Sequence, residues 1–252
     1  MAGALEGTVA LVTGASSGIG ESTTLALAAE GAAVVAAARR LDRLEALAAR
    51  APAGARVVPL QVDVADEAQV RAMVDNAVRD LGRLDILVNN AGVMLLGTIE
   101  GAPTEEWRRM VNLNLLGLFY CTHAALPHLL SAAQGPRRVA DVVNLSSVAG
   151  RVARLHNGVY AATKFGVVAF SESLRQEVTE RHVRVTVVEP GATMTELATH
   201  NRPEVLEEMA RTFTGMEMMK SEDIAAAVRF AVTQPWNVAV NEILIRPTEQ
   251  LR

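Results

Sequence analysis

Short runs of apolar, mostly β-branched residues alternate along this chain with longer Ala- and Leu-rich segments in which apolar positions recur at helical spacing. The runs fall at 9–13, 33–37, 57–61, 86–89, 139–145, 183–189 and 242–245. The amphipathic segments fall at 18–30, 42–50, 67–81, 104–130, 159–181 and 221–233. Several of them begin near Ser, Thr or Asp, which cap the unpaired N–H groups of a first turn, and Thr104 before Glu105 and Glu106 is a good example. Strand alternating with helix is the signature of βαβ units around a parallel sheet. The pattern therefore predicts an α/β fold: a Rossmann-type, doubly wound, seven-stranded parallel sheet with helices on both faces. Two stretches break the rhythm, a polar Gly- and Pro-containing loop at 131–138 and an irregular segment at 191–220. No internal repeat, coiled-coil heptad or low-complexity tail is present in the sequence.

At 252 residues, such a sheet fits one domain, taken as 1–252. A 50% hydrophobic share with 21% charged residues is that of a chain that folds. The formal net charge of -4 leaves no basic excess to neutralise a phosphate backbone, so no nucleic-acid partner is expected. No Lys or Arg precedes Arg39, so the basic start of a secretory signal is missing, and a cytoplasmic location is expected. Purely apolar runs such as 32–38 are far below the roughly 20 residues of a membrane span, and none is predicted. Cys121 is the one cysteine, which excludes an internal disulfide or a cysteine metal cluster and suits a small residue buried on a helix. His123, His128, His156, His182 and His200 show no ligand spacing, and no metal is assigned.

The first run leads directly into Thr13, Gly14, Ala15, Ser16, Ser17, Gly18, Ile19 and Gly20. Glycines between a first strand and a helix let backbone approach a pyrophosphate, which then lies at the positive helix N-terminus. The spacing differs from the GxGxxG fingerprint, and composition alone equally describes a tight turn without a ligand; the position after the first strand favours the phosphate. The second run ends Ala36, Ala37, Ala38, Arg39, Arg40. The acid that commonly holds an NAD ribose is absent, and two guanidinium groups suited to a 2′-phosphate stand there instead, which favours NADP(H). Elsewhere two such arginines would be a solvated surface pair. Asp63 and Val64 follow the third run, and Asn90, Ala91 and Gly92 the fourth, at carboxyl ends where open α/β sheets bind ligands. Read singly, each is equally turn chemistry.

Tyr160 and Lys164 are four apart on a helix and share a face. An ammonium beside a phenol favours the phenolate, so the pair predicts a tyrosine able to donate and accept a proton near neutrality. Ser147, just after the fifth run, adds a hydroxyl that can polarise a carbonyl oxygen. Singly these are common residues; together, after a nucleotide turn, they form a candidate catalytic set.

With the segments in this order the sequence resembles the short-chain dehydrogenase/reductase family from about Leu5 to Pro247, on the Thr13 to Gly20 turn, Asn89 to Gly92, Asn114, Ser147, Tyr160 with Lys164, and Pro190 with Gly191. The resemblance implies metal-free hydride transfer between a nicotinamide and a small-molecule carbonyl or alcohol carbon. It implies that Tyr160 protonates the carbonyl oxygen, Ser147 hydrogen-bonds it, Lys164 lowers the tyrosine pKa and holds the nicotinamide ribose, and Asn114 positions a water. It further implies that Gly14, Ser16, Ser17, Gly18, Ile19 and Gly20 hold the pyrophosphate, and that Asp63 with Val64 faces the adenine. Asn90 would meet the adenosine-side ribose and Thr193 the carboxamide, with Ala91, Gly92, Pro190 and Gly191 also in the cofactor site, and Arg39, with Arg40 second, would meet the 2′-phosphate. The stretch at about 191–220, with Met194, Met209, Met216, Met218 and Met219, is expected to form a substrate lid. Its methionines suit an apolar pocket or simply a lid core. The ending, Asn241 to Thr248, departs from the Gly-Gly pair of many relatives and resembles a subgroup with hydroxy-acid and serine dehydrogenases and a reductase of secondary metabolism. Long apolar stretches at 113–130 and 159–174, together with the resemblance, predict a homo-oligomer, a tetramer.

Overall fold

The computed structural model describes residues 3–212 and 215–251. Seven strands form one sheet: β1 (Val9–Thr13), β2 (Ala33–Ala38), β3 (Val57–Gln61), β4 (Ile86–Asn89), β5 (Ala140–Leu145), β6 (Val183–Pro190) and β7 (Glu242–Ile245). Every neighbouring pair is parallel, in the order β3-β2-β1-β4-β5-β6-β7. Chain direction across the sheet reverses between β1 and β4, so the crevice at their carboxyl ends is where a ligand fits.

Alternate residues of each strand feed two cores. Val9, Leu11, Val35, Ala37 and Leu87 pack on one face with Val70 and Met73 of α3 (Glu67–Leu81), Cys121 and Leu129 of α5 (Gly117–Ala132) and Leu174 of α6 (Gly158–Val178). Ala10, Val12, Val34, Ala36 and Val88 pack on the other with Leu27 of α1 (Gly18–Ala29), Leu44 and Leu47 of α2 (Leu41–Ala49) and Ile224 and Val228 of α8 (Ser221–Val232). Fully buried side chains such as Leu11 and Leu87 each contribute about 1.5–3 kcal/mol. The seven-stranded, doubly wound expectation is the observed architecture.

Local differences have local causes. The segment expected as one helix at 104–130 is α4 (Thr104–Val111), a π-helical turn at Asn112–Leu116, and α5. Thr104 lies inside α4; its N-cap is Pro103, which offers no side-chain acceptor. Asp66, by contrast, caps α3 by accepting from Ala68 and Gln69 backbone N–H groups at 2.9 and 3.2 Å. The irregular segment at 191–220 holds a 3-10 turn, Glu196–His200, and a helix, α7 (Pro203–Thr212). The stretch Thr104–Ala132 is long and apolar enough to cross a membrane by length and composition. Here Cys121, Ala125 and Leu129 bury one side of it against the sheet, so it is a core element.

Candidate active site

A cleft of about 720 Å3 opens along the carboxyl ends of the strands. Its nucleotide end is built by the turn after β1. Gly14 has φ +66°, and a Cβ there would lie 2.8 Å from Ala91 Cα, so only glycine allows the turn to nest against the segment after β4. Thr13 Oγ1 accepts from the N–H groups of Asn90 and Ala91 at 3.0 and 3.1 Å, and Asn90 Nδ2 donates to the Thr13 and Gly14 carbonyls at 2.9 and 3.2 Å. The first N–H groups of α1 face this end of the cleft, lined by Ser16, Ser17, Gly18 and Ile19.

The two arginines after β2 are placed differently. Arg39 lines the cleft, is exposed, and its guanidinium has no partner among the described residues. Arg40 donates through Nε and Nη2 to Ser16 Oγ at 3.2 and 3.0 Å, through Nη2 to Ser17 Oγ at 3.0 Å, and through Nη1 to Glu196 at 3.0 Å. Asp63 Oδ1 accepts from the Ala65 N–H at 3.0 Å, with Val64 beside it in the cleft wall.

At the other end, β5 and α6 bring three side chains to one wall. Ser147 follows β5 in extended conformation, accepts from the Ala149 N–H at 3.1 Å and faces the Pro190 carbonyl at 3.5 Å. Lys164 Nζ donates to the Leu145 carbonyl at 2.8 Å, and Ser146 Oγ donates to the Lys164 carbonyl at 3.0 Å, which fastens α6 to the strand end. One turn earlier Tyr160 lies with its ring centroid 5.8 Å from Lys164 Nζ. Burial pushes the Tyr160 phenol up to about 12, while the Ser147 side chain pulls it down. Burial lowers the Lys164 ammonium to about 8. In the chain itself burial thus outweighs the lowering of Tyr160 that its spacing to Lys164 suggests.

Of the expected residues, Asn114 and Gly20 do not line the cleft; the others do. Asn114, in the π-helical turn, is buried and bonded at both ends of its amide: Oδ1 accepts from the Val93 N–H at 2.8 Å, and Nδ2 donates to the Val93 carbonyl and Thr163 Oγ1 at 2.9 and 3.1 Å. Thr163 in turn bonds the Tyr160 carbonyl at 2.7 Å, so Asn114 braces the wall from behind.

Sequence reasoning missed Glu196, Arg154 and Gln250, which also line the cleft. Glu196 is bonded to Arg40 and Arg43, which hold its carboxyl down at about 2. Gln250, near the C-terminus, accepts from the Ala192 N–H at 2.8 Å. No spacing links these positions to the motifs; only the fold brings them together.

A dinucleotide-type crevice with a Ser, Tyr and Lys wall defines a class, and comparison with known proteins agrees with it. Residues 8–206 match the family model for short chain dehydrogenase. The chain belongs to that family and, at that level, is an NAD(P)-dependent oxidoreductase. It is 37% identical to an uncharacterised oxidoreductase of Staphylococcus saprophyticus, covering 96% of each. It is 41% identical to a glycine betaine reductase of Emericella nidulans, over 98% of this chain but 19% of that much longer protein. Among solved structures, the closed form of a serine dehydrogenase complexed with NADP+ superposes with a TM-score of 0.89 at 32% identity, covering 97% of both chains.

Proposed function

We propose that this chain is an NADP(H)-dependent carbonyl reductase acting on small or medium aldehydes or ketones, with residues 1–252 as one catalytic domain and 191–220 as its lid. One observation carries the reading: Ser147, Tyr160 and Lys164 converge on one wall of the same cleft whose far end is the glycine turn and the exposed Arg39. The cradle at Gly14 fits a pyrophosphate, and Arg39 fits a 2′-phosphate better than Arg40, whose N–H groups already hold Ser16, Ser17 and Glu196. The NADP+ complex of the serine dehydrogenase supports the same choice.

When bound, the reduced nicotinamide supplies the hydride that adds to the carbonyl carbon. Tyr160, protonated at neutral pH, gives its proton to the developing alkoxide, and Ser147 donates a hydrogen bond to the same oxygen. Lys164 would hold the nicotinamide ribose and favours the phenolate left behind. Asn114 keeps α6 in register with the Val93 segment and would position a water toward Lys164. Glycines and hydroxyls from Gly14 to Ile19 would receive the pyrophosphate, with Gly20 packed behind them, Asp63 would face the adenine beside Val64, Asn90 the ribose beside Ala91 and Gly92, and Thr193 the carboxamide beside Pro190 and Gly191.

Likeness to a serine dehydrogenase favours a second reading, oxidation of a hydroxy acid or alcohol at the same site. A cofactor-sensing protein without catalysis would not need the complete Ser147, Tyr160 and Lys164 wall. We read the segments 94–97 and 241–248 as resembling an NADPH-dependent reductase of clavulanic aldehyde, which puts aldehydes of secondary metabolism among the substrates to try. A cytoplasmic homotetramer is the proposed working form. The test is NADPH oxidation across aldehydes, ketones and β-keto acids, with NADP+ reduction on the matching alcohols. Activity confined to the alcohols selects the second reading, and none in either direction removes both.

A further inference from the structure

The lid leaves and rejoins the body at one point. Thr193 pairs with Met219 in a parallel bridge; the Met194 N–H donates to the Met219 carbonyl at 2.8 Å, and the Met219 N–H to the Ala192 carbonyl at 3.1 Å. Beyond that base it crosses the cleft and is tied on two sides. Toward the substrate end, the Leu96 N–H donates to Asn201 Oδ1 at 2.7 Å and His156 meets Glu208 at 3.2 Å. Toward the nucleotide end, Thr195 lies so close over Gly18 that a Cβ on the glycine would be 3.2 Å from the Thr195 Cβ.

The next residue, Glu196, fastens this end. One carboxylate oxygen accepts from Arg40 Nη1 at 3.0 Å and the other from Arg43 Nη1 at 2.6 Å. Arg40 reaches onward to Ser16 and Ser17 of the glycine turn, so lid, arginine and turn form one chain of contacts across the mouth of the nucleotide cleft. Arg43 contributes from α2, outside the cleft wall. Arg39 takes no part in this chain among the described residues.

We propose that Glu196 is a positioning residue that latches the lid over the bound dinucleotide through Arg40 and Arg43 and so sets how fast the dinucleotide leaves. The inference rests on the cofactor reading above. A latch that grips the turn rather than the 2′-phosphate acts equally on NADPH and NADH, whereas Arg39 sets the ratio between them.

The experiment measures dissociation of each nucleotide from the protein by cofactor fluorescence, with no substrate present. Glu196→Gln is expected to release NADPH and NADH both about fivefold faster, as loss of two half-exposed ion pairs implies, with their affinity ratio unchanged. Arg43→Gln should give part of that effect, and the double variant no more than Glu196→Gln alone. Added salt should speed NADH release from the unmodified protein more than from Glu196→Gln. Backbone hydrogen exchange at 195–200 in the protein alone should also quicken in Glu196→Gln. Unchanged release, an effect on NADPH only, or full multiplicativity of the two substitutions overturns the latch. Equal affinity of the unmodified protein for NADH and NADPH, or no change in their ratio on Arg39→Asp, overturns the 2′-phosphate reading instead and leaves the latch standing.

Discussion

Tyr160 and Lys164 owe their chemistry to opposing demands on charge. Burial favours the neutral form of both, which keeps the phenol protonated up to about 12 and brings the ammonium down to about 8. At neutral pH Tyr160 is therefore a proton donor in place. Tyr160→Phe keeps the ring and removes that donor, so turnover should fall by about 10²–10⁴-fold with NADPH binding largely retained. Steady-state rates beside a fluorescence binding curve check this, and wild-type turnover would move the proton donor elsewhere. Lys164 gives a pH test of its burial. Between about 8 and its ordinary 10.5 the unfolded chain holds a proton that the folded chain has lost, so stability rises with pH through that window. Denaturant titrations should show the unmodified protein gaining on Lys164→Met from pH 8 to 10, and a constant difference would contradict the assigned burial. The Tyr and Lys spacing was legible because four residues is one helical turn. What burial does to each group was not, because spacing says nothing of the surrounding solvent.

At the level of elements, strands and helices were legible wherever one periodicity ran uninterrupted, as in β1, β3 and α3. The π-helical turn at Asn112–Leu116 was not, since one extra residue in a turn leaves apolar spacing almost untouched while re-aiming Asn114 toward Val93 and Thr163. The same holds for the lid, where the Glu196 contacts join positions more than 150 residues apart. Long-range polar fixtures also hold β6 and β7 in place. Arg184 of β6 is buried, pairs with Asp141 of β5 at 2.7 Å, and donates to the carbonyls of Gln234, Pro235 and Val238 at 3.1, 3.2 and 2.7 Å. It thus fixes the connection into β7. Arg184→Met removes one partner of a buried pair and takes the guanidinium donor from the Gln234 and Val238 carbonyls, while Pro235 keeps the Val238 N–H at 2.9 Å; Arg137, 2.7 Å from Asp141, keeps the acid partly compensated. Thermal or denaturant unfolding should register a loss of about 3 kcal/mol, the lower end for such pairs. A loss below about 0.5 kcal/mol, the range of ordinary surface changes, would show the fixture to be dispensable.

The whole molecule presents an edge that a lone chain leaves uncovered. β7 closes the sheet order, so one side of its backbone has no strand partner among the described residues. Around it Leu244 and Trp236 are 44% exposed and Phe230 of α8 is 54% exposed, while Leu251 in the tail stands almost fully in solvent. Trp236 is held in place by the Arg138 guanidinium, 3.7 Å over its ring, so this surface is fixed rather than loose. A second exposed pair is Val111 at the end of α4 and Phe165 of α6, the latter inside the apolar 159–174 stretch. Two such areas on different sides of one chain suit two distinct self-complementary contacts, and two twofold contacts generate a tetramer. Light scattering should accordingly give a mass four times the 26.8 kDa of the chain. Leu244→Lys with Phe230→Glu should reduce that to a dimer by spoiling the β7 contact alone, leaving the cleft side chains untouched. A monomer in the unmodified protein at working concentration would overturn the assembly, and a tetramer unaffected by the double substitution would take β7 out of it.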